Sequence, residues 1–211
     1  MGRGWSNAGA ARARFADLVE SLTDAQLAGE TLCEGWTPKE VLGHVVSFVD
    51  LSFPRFMAQV VKARFNFDVA SDRMARTLAE RPVEDLLATL RANADKSSAV
   101  PMFPEDLTVL DATAHAQDVR RGLGLDTQPD AEVVREMLEF MASGKAKPIF
   151  DAKVTQGLTI AATDVDFRHG DGPEVEATAE ALMMSLLNRP SVFSELSGMG
   201  VGKLVSRLTA E

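Results

Sequence analysis

The stretch CEGWTPKEVLGHVV, residues 33–46, decides how the rest of the chain reads. Thr37 stands where an N-cap belongs, Pro38 occupies the first helical position, and Glu40 completes a capping box three residues after the cap. Beyond that start, Val41, Leu42, Val45, Val46, Phe48 and Val49 give a wide apolar surface at helical spacing, with His44 among them. A helix with a sharp start and a broad apolar face belongs to the core of a helical domain. An imidazole in that face is either a core histidine with satisfied hydrogen bonds or a side chain aimed at a ligand.

Working outward, most of the chain repeats the helical pattern. AARARFADLVESL (10–22) places Ala11, Phe15, Leu18 and Leu22 at helical spacing. Pro54 ends or kinks the helix that starts at Thr37, and RFMAQVVKARF (55–65) continues past it. SDRMARTLAE (71–80) and PVEDLLATLRANA (82–94) read as a helical pair split at Arg81-Pro82. PEDLTVLDATAHAQDVRRGLG (104–124) is a helix closed by Gly122 and Gly124, and DAEVVREMLEFMASG (130–144) is a further one ending at Gly144. These helices predict an up-and-down bundle over residues 1–147.

The pattern changes near Lys147-Pro148. GLTIAATDVDFRHGDG (157–172) is β-branched and alternating, which predicts one or two short strands with His169 in an exposed turn. PEVEATAEALMMSLLNRP (173–190) reads as a helix with Pro173 in its first turn, and GVGKLVSRL (200–208) as a short closing helix. Residues 148–211 are thus expected to form a small α+β segment. The fold class is mainly α.

Bulk properties exclude several functions. The 211 residues carry a formal net charge of -9, which disfavours nucleic acid and anionic membranes as partners because no basic patch offsets phosphate repulsion. The opening MGRGWSNAGAARARF lacks an apolar leader core, and no run approaches the ~20 residues of a membrane span. Cys33 is the single cysteine, so no internal disulfide forms and a reducing, cytoplasmic setting is expected. A homodimer is compatible with the sequence.

The second informative stretch is LDATAHAQDVRR (110–121). Asp111 and His115 are four apart and Asp118 three further on, so all three share one helical face. Leu107, Leu110, Ala114 and Val119 flank this stripe and turn it inward. Buried carboxylates and imidazoles must be paired or coordinated. A local Asp–His pair is one solution. A divalent metal is the other, with two ligands from one helix and His44 from a facing helix, which is the composition of a catalytic zinc site with an open position. Cys33 precedes the cap, roughly 10 Å along the helix from His44, and reads as a structural thiol away from the site. Trp36 reads as a hydrophobic staple, and Arg120 and Arg121 as complements to their helix dipole.

TLCEGWTPKEVLGHVV (31–46) resembles the opening motif of the mycothiol-dependent maleylpyruvate isomerase family, within the DinB-like four-helix-bundle superfamily. DATAHAQDVRRGLGL (111–125) is similar to that family's second motif, and IAATDVDFRHGDGPEV (160–175), LLNRP (186–190) and LSGMGV (196–201) to its C-terminal segment. The resemblance implies a bundle holding a divalent metal, zinc or nickel, through one histidine of the second helix and an acidic-x-x-x-His pair of a later one. Carried over, these positions are His44, Asp111 and His115. The sequence departs from the pattern at Asp111, where the isomerase resembles a Glu form, at Asn188 for a common Gly, and at Met199 within a common Gly-Asp-Gly. The activity implied is a mycothiol-dependent cis–trans isomerisation, or a thiol S-transfer to a small electrophile, with Asp118 orienting His115 or acting as a base. The expected partners are a small-molecule substrate and the thiol; a non-catalytic metal-binding or regulatory module is the rival reading.

Overall fold

The computed structural model describes residues 8–96, 104–126 and 128–210. Residues 1–7, part of the opening read for a leader, lie outside them. The chain forms two compact units, Met1–Asp126 and Thr127–Glu211.

In the first unit the helices are α1 (Ala8–Glu20), α2 (Asp24–Leu27), α3 (Pro38–Asp50), α4 (Phe53–Lys62), α5 (Phe67–Ala79), α6 (Val83–Ala92) and α7 (Glu105–Gly122). The capping box forms as the sequence predicts: Glu40 N–H donates to Thr37 Oγ1 and Thr37 N–H to Glu40 Oε2. Helices α1, α3, α6 and α7 pack on one another as a four-helix bundle, with α5 alongside α3. Phe15, Val41, Leu42, Leu86, Leu90 and Val119 fill its core. Each fully buried side chain of this kind contributes about 1.5–3 kcal/mol. Pro54 sits in the first turn of α4, so the long helix breaks at Leu51 as the proline requires. Among the described residues no helix is long and apolar enough to cross a membrane.

Two glycines set how closely elements approach the bundle. A Cβ on Gly43 of α3 would lie 2.4 Å from the Ala75 carbonyl oxygen of α5. A Cβ on Gly122 would lie 2.4 Å from the Glu30 carbonyl oxygen, so the loop between α2 and α3 runs directly over the end of α7. Gly122 is therefore a close-packing residue, and Gly124, with φ 64°, takes the left-handed position after the helix.

The second unit comprises α8 (Ala131–Ala142), β1 (Thr159–Ala162), β2 (Arg168–His169), β3 (Glu174–Ala177), α9 (Ala179–Leu186) and α10 (Val201–Leu208). The sheet order is β2-β1-β3, with β1 antiparallel to β2 and parallel to β3; Ile160 pairs with His169 on one side and Val175 on the other. Two expectations need correction. Residues 173–190 do not form one helix, because Glu174–Ala177 alternates half-buried and buried and pairs with β1. The helix begins only after Thr178, whose hydroxyl accepts the Ala181 N–H. His169 is exposed as expected but lies in a strand, not a turn. The division at Asp126 also puts α8 in this unit, where it packs on α9.

Candidate metal centre

Three side chains converge inside the first unit. His44 projects from the middle of α3, and Asp111 and His115 from one face of α7. Nε2 of His44 and Nε2 of His115 each lie 3.5 Å from the same oxygen, Oδ1 of Asp111. That is long for a hydrogen bond. It is close to the separation of about 3.4 Å between ligands that each stand about 2.1 Å from a tetrahedral zinc. The ligand atoms of the three residues lie within 4.8 Å of one another. Both histidines are buried, and the Asp111 side chain is 18% exposed, so the group is open on the carboxylate side.

The far nitrogen of each ring is held separately. Ser71 Oγ of α5 is 2.9 Å from His44 Nδ1, and Asp118 Oδ2 is 3.0 Å from His115 Nδ1. The close approach at Gly43 brings Ser71, one turn before Ala75, within reach. Anchoring Nδ1 leaves Nε2 aimed at Asp111 in both rings, the outer arrangement that metal-binding histidines use. The donor set and its anchoring therefore fit a divalent cation.

The packing of these groups shifts their charges. Burial opposes ionisation of Asp111, but His115 and then His44 outweigh it and hold the carboxyl well below the usual carboxylate range. Burial lowers His44, which Asp111 offsets only in part. His115 meets the same burial cost, yet Asp111 and then Asp118 raise it well above its ordinary value. Burial likewise lowers Arg12 of α1, against the pull of Asp111; its Nη1 donates to the carbonyls of Ala94 and Lys96, each at 2.7 Å.

The sequence reading of Cys33 is corrected here. The thiol is not distant: Sγ donates to Asp118 Oδ2 at 2.9 Å and lies 3.5 Å from His115 Nδ1. Distance along α3 is the wrong measure, because the loop folds back onto α7. Leu32 N–H donates to the Asp118 carbonyl at 3.1 Å, and Thr31 Oγ1 donates to the carbonyls of Cys33 and Trp36. Trp36 is more than a staple: its ring centroid lies 5.1 Å from His44 and 6.2 Å from His115, and Nε1 donates to Asp72 Oδ1. Asp118, read as the orienting or basic residue, is fully buried between His115 and Cys33.

Sequence reasoning missed Ser71 and Arg12. Neither carries a local signal: a serine on an amphipathic helix and an arginine near the chain start are ordinary surface residues until the packing is known.

Residues 8–109 match the family model for the mycothiol maleylpyruvate isomerase N-terminal domain, a span that includes His44 and stops short of Asp111. A crystal structure of a histidine-to-alanine mutant of the mycothiol-dependent maleylpyruvate isomerase is similar over 90% of this chain and 88% of that one. The identity is 13% and the TM-score 0.55, so the likeness speaks to the fold. No curated protein matches the chain.

Proposed function

We propose that this chain, which belongs through residues 8–109 to the mycothiol maleylpyruvate isomerase N-terminal domain family, is a metal- and thiol-dependent enzyme. The reaction class is cis–trans isomerisation of a small conjugated acid by reversible thiol addition, or transfer of the thiol to a small electrophile. Mycothiol is the proposed thiol, and zinc, or else nickel, the proposed metal. One observation carries this reading: two Nε2 atoms face a single carboxylate oxygen, and each ring is anchored through its other nitrogen.

A divalent cation held by His44, Asp111 and His115 would supply Lewis acidity, the chemistry that lowers the pKa of a thiol. The protein's part is positioning. His44, Asp111 and His115 would hold the cation, while Ser71 and Asp118 hold the ring angles of the histidines through Nδ1. Asp118, with no exposed surface, is a positioning residue and does not meet substrate. Cys33 lies against Nδ1 of His115, on the far side of the ring from Nε2, so it does not supply the attacking sulfur. Trp36 stands beside both rings.

The test is turnover of maleylpyruvate or a small electrophile by metal-loaded protein, with and without mycothiol or a surrogate thiol. Activity is expected only with the thiol. Equal rates without it would sink the thiol mechanism, and a loaded protein inert under every condition would favour the non-catalytic module.

A further inference from the structure

His115 has a second set of neighbours. The thiol of Cys33, Oδ2 of Asp118 and Nδ1 of His115 also lie within 4.8 Å of one another, as a group distinct from the one at Nε2. We propose that these three form a second, thiophilic seat for a metal ion, mutually exclusive with the seat made by His44, Asp111 and His115. The inference rests on reading the latter as a cation site.

Exclusivity follows from the shared ring. A neutral imidazole has one lone pair, at Nε2 or at Nδ1 according to tautomer, so it serves one ion at a time. With the proton on Nδ1, facing Asp118, His115 completes the first seat. With the proton on Nε2, facing Asp111 Oδ1 at 3.5 Å, it completes the second. Occupying the second seat also takes the proton from Cys33 Sγ, and that proton leaves to solvent.

The geometry is near what such an ion needs. Around a tetrahedral ion with bonds of about 2.3 Å to sulfur and about 2.0–2.1 Å to nitrogen and oxygen, ligand atoms stand about 3.3–3.6 Å apart. Sγ and Nδ1 are already 3.5 Å apart, while Asp118 Oδ2 lies 2.9 Å from Sγ and 3.0 Å from Nδ1. Asp118 thus needs to withdraw by about 0.6 Å from Sγ and about 0.3 Å from Nδ1 once the protons are gone. Cys33 is only half-buried, which gives an ion a way in. The two seats differ in character: one offers two imidazoles and a carboxylate, whereas the other has one imidazole, a carboxylate and a soft thiolate. Nickel therefore selects the first seat and cadmium the second.

The experiment titrates the full-length metal-free protein with Ni²⁺ and with Cd²⁺ while recording ultraviolet absorption. One equivalent of either ion is expected. Cd²⁺ should bring a sulfur-to-metal charge-transfer band and Ni²⁺ none, and Cd²⁺ added to Ni²⁺-loaded protein should displace nickel instead of adding to it. Cys33→Ser should lose the cadmium band and keep its nickel equivalent. His44→Ala should lose nickel and keep the cadmium band. Cadmium bound without the band, or a second equivalent beside nickel, would overturn the inference while leaving the first seat intact. Failure of both ions to bind would remove the proposed function together with it.

Discussion

Replacing Gly43 with alanine tests whether the packing of α5 on α3 positions the candidate metal centre. The new Cβ would stand 2.4 Å from the Ala75 carbonyl oxygen and 3.2 Å from the Ala79 nitrogen, both backbone atoms that cannot rotate away. Ordinary contact begins near 3.4 Å, so α5 must withdraw by up to 1.0 Å (3.4 less 2.4). Alanine recovers about 1 kcal/mol in helix propensity, but overpacking against a rigid backbone costs up to about 3 kcal/mol. A net loss of about 2 kcal/mol follows, or roughly 4–8 °C in Tm for a chain of this size. Ser71 moves with α5. If the shift reaches it in full, Oγ goes from 2.9 Å to well beyond hydrogen-bonding range of His44 Nδ1. Losing an outer partner of this kind costs about 10–100-fold in metal affinity, equivalent to about 1.4–2.7 kcal/mol. The assays are thermal denaturation of the metal-free protein and zinc affinity by competition with a chelator. Ser71→Ala is the control, since it should lower affinity by a similar factor with little change in Tm. A Gly43→Ala protein that loses stability but binds zinc as tightly as the parent would refute the idea that α5 orients His44.

The remaining expectations concern the ligands and pH. His115→Ala removes a ligand common to both trios and should abolish stoichiometric binding of zinc, nickel and cadmium, read by elemental analysis of dialysed protein. Asp118→Asn should retain zinc at about 10–100-fold lower affinity, because the ring loses its carboxylate anchor but not its Nε2; undiminished affinity would argue against that anchoring. His115 is raised in the folded protein, so its contribution to metal-free stability is full below its unfolded value of about 6.5 and is lost as pH rises through the folded value. Zinc competes with that proton, so the stabilisation it confers should grow over the same range. Thermal melts from about pH 6 to 9, with and without zinc, should therefore diverge. A gap that narrows with rising pH would contradict the assignment.

What the sequence disclosed and what it hid divide along a physical line. The convergence of His44, Asp111 and His115 was legible because helical periodicity and a capping box fix which face each occupies, and a face is all that convergence across a bundle requires. β3 was missed because Glu174–Ala177 is short and runs into a strong helix; only its pairing with β1 makes it a strand. Cys33 was misplaced because the path of a loop depends on what it can lie against. The permission came from Gly122, a residue far along the chain that reads locally as a helix terminator. Ser71 depended in the same way on Gly43. Tertiary approach at glycine is invisible to periodicity, and here it brings Ser71 to His44 and Cys33 to His115.

The place of Trp36 gives the molecule a built-in optical reporter. The chain has two tryptophans, Trp5 and Trp36, and the second sits with its indole against both imidazoles. Indole emission is quenched by a nearby imidazolium and responds to an adjacent cation, so its intensity tracks whether the rings carry a proton, a metal or neither. The Nε1 hydrogen bond to Asp72 holds the fluorophore in one orientation while this happens. Loading of the proposed metal is therefore expected to change the protein's own emission, which can be followed in dilute solution, in real time and without a label.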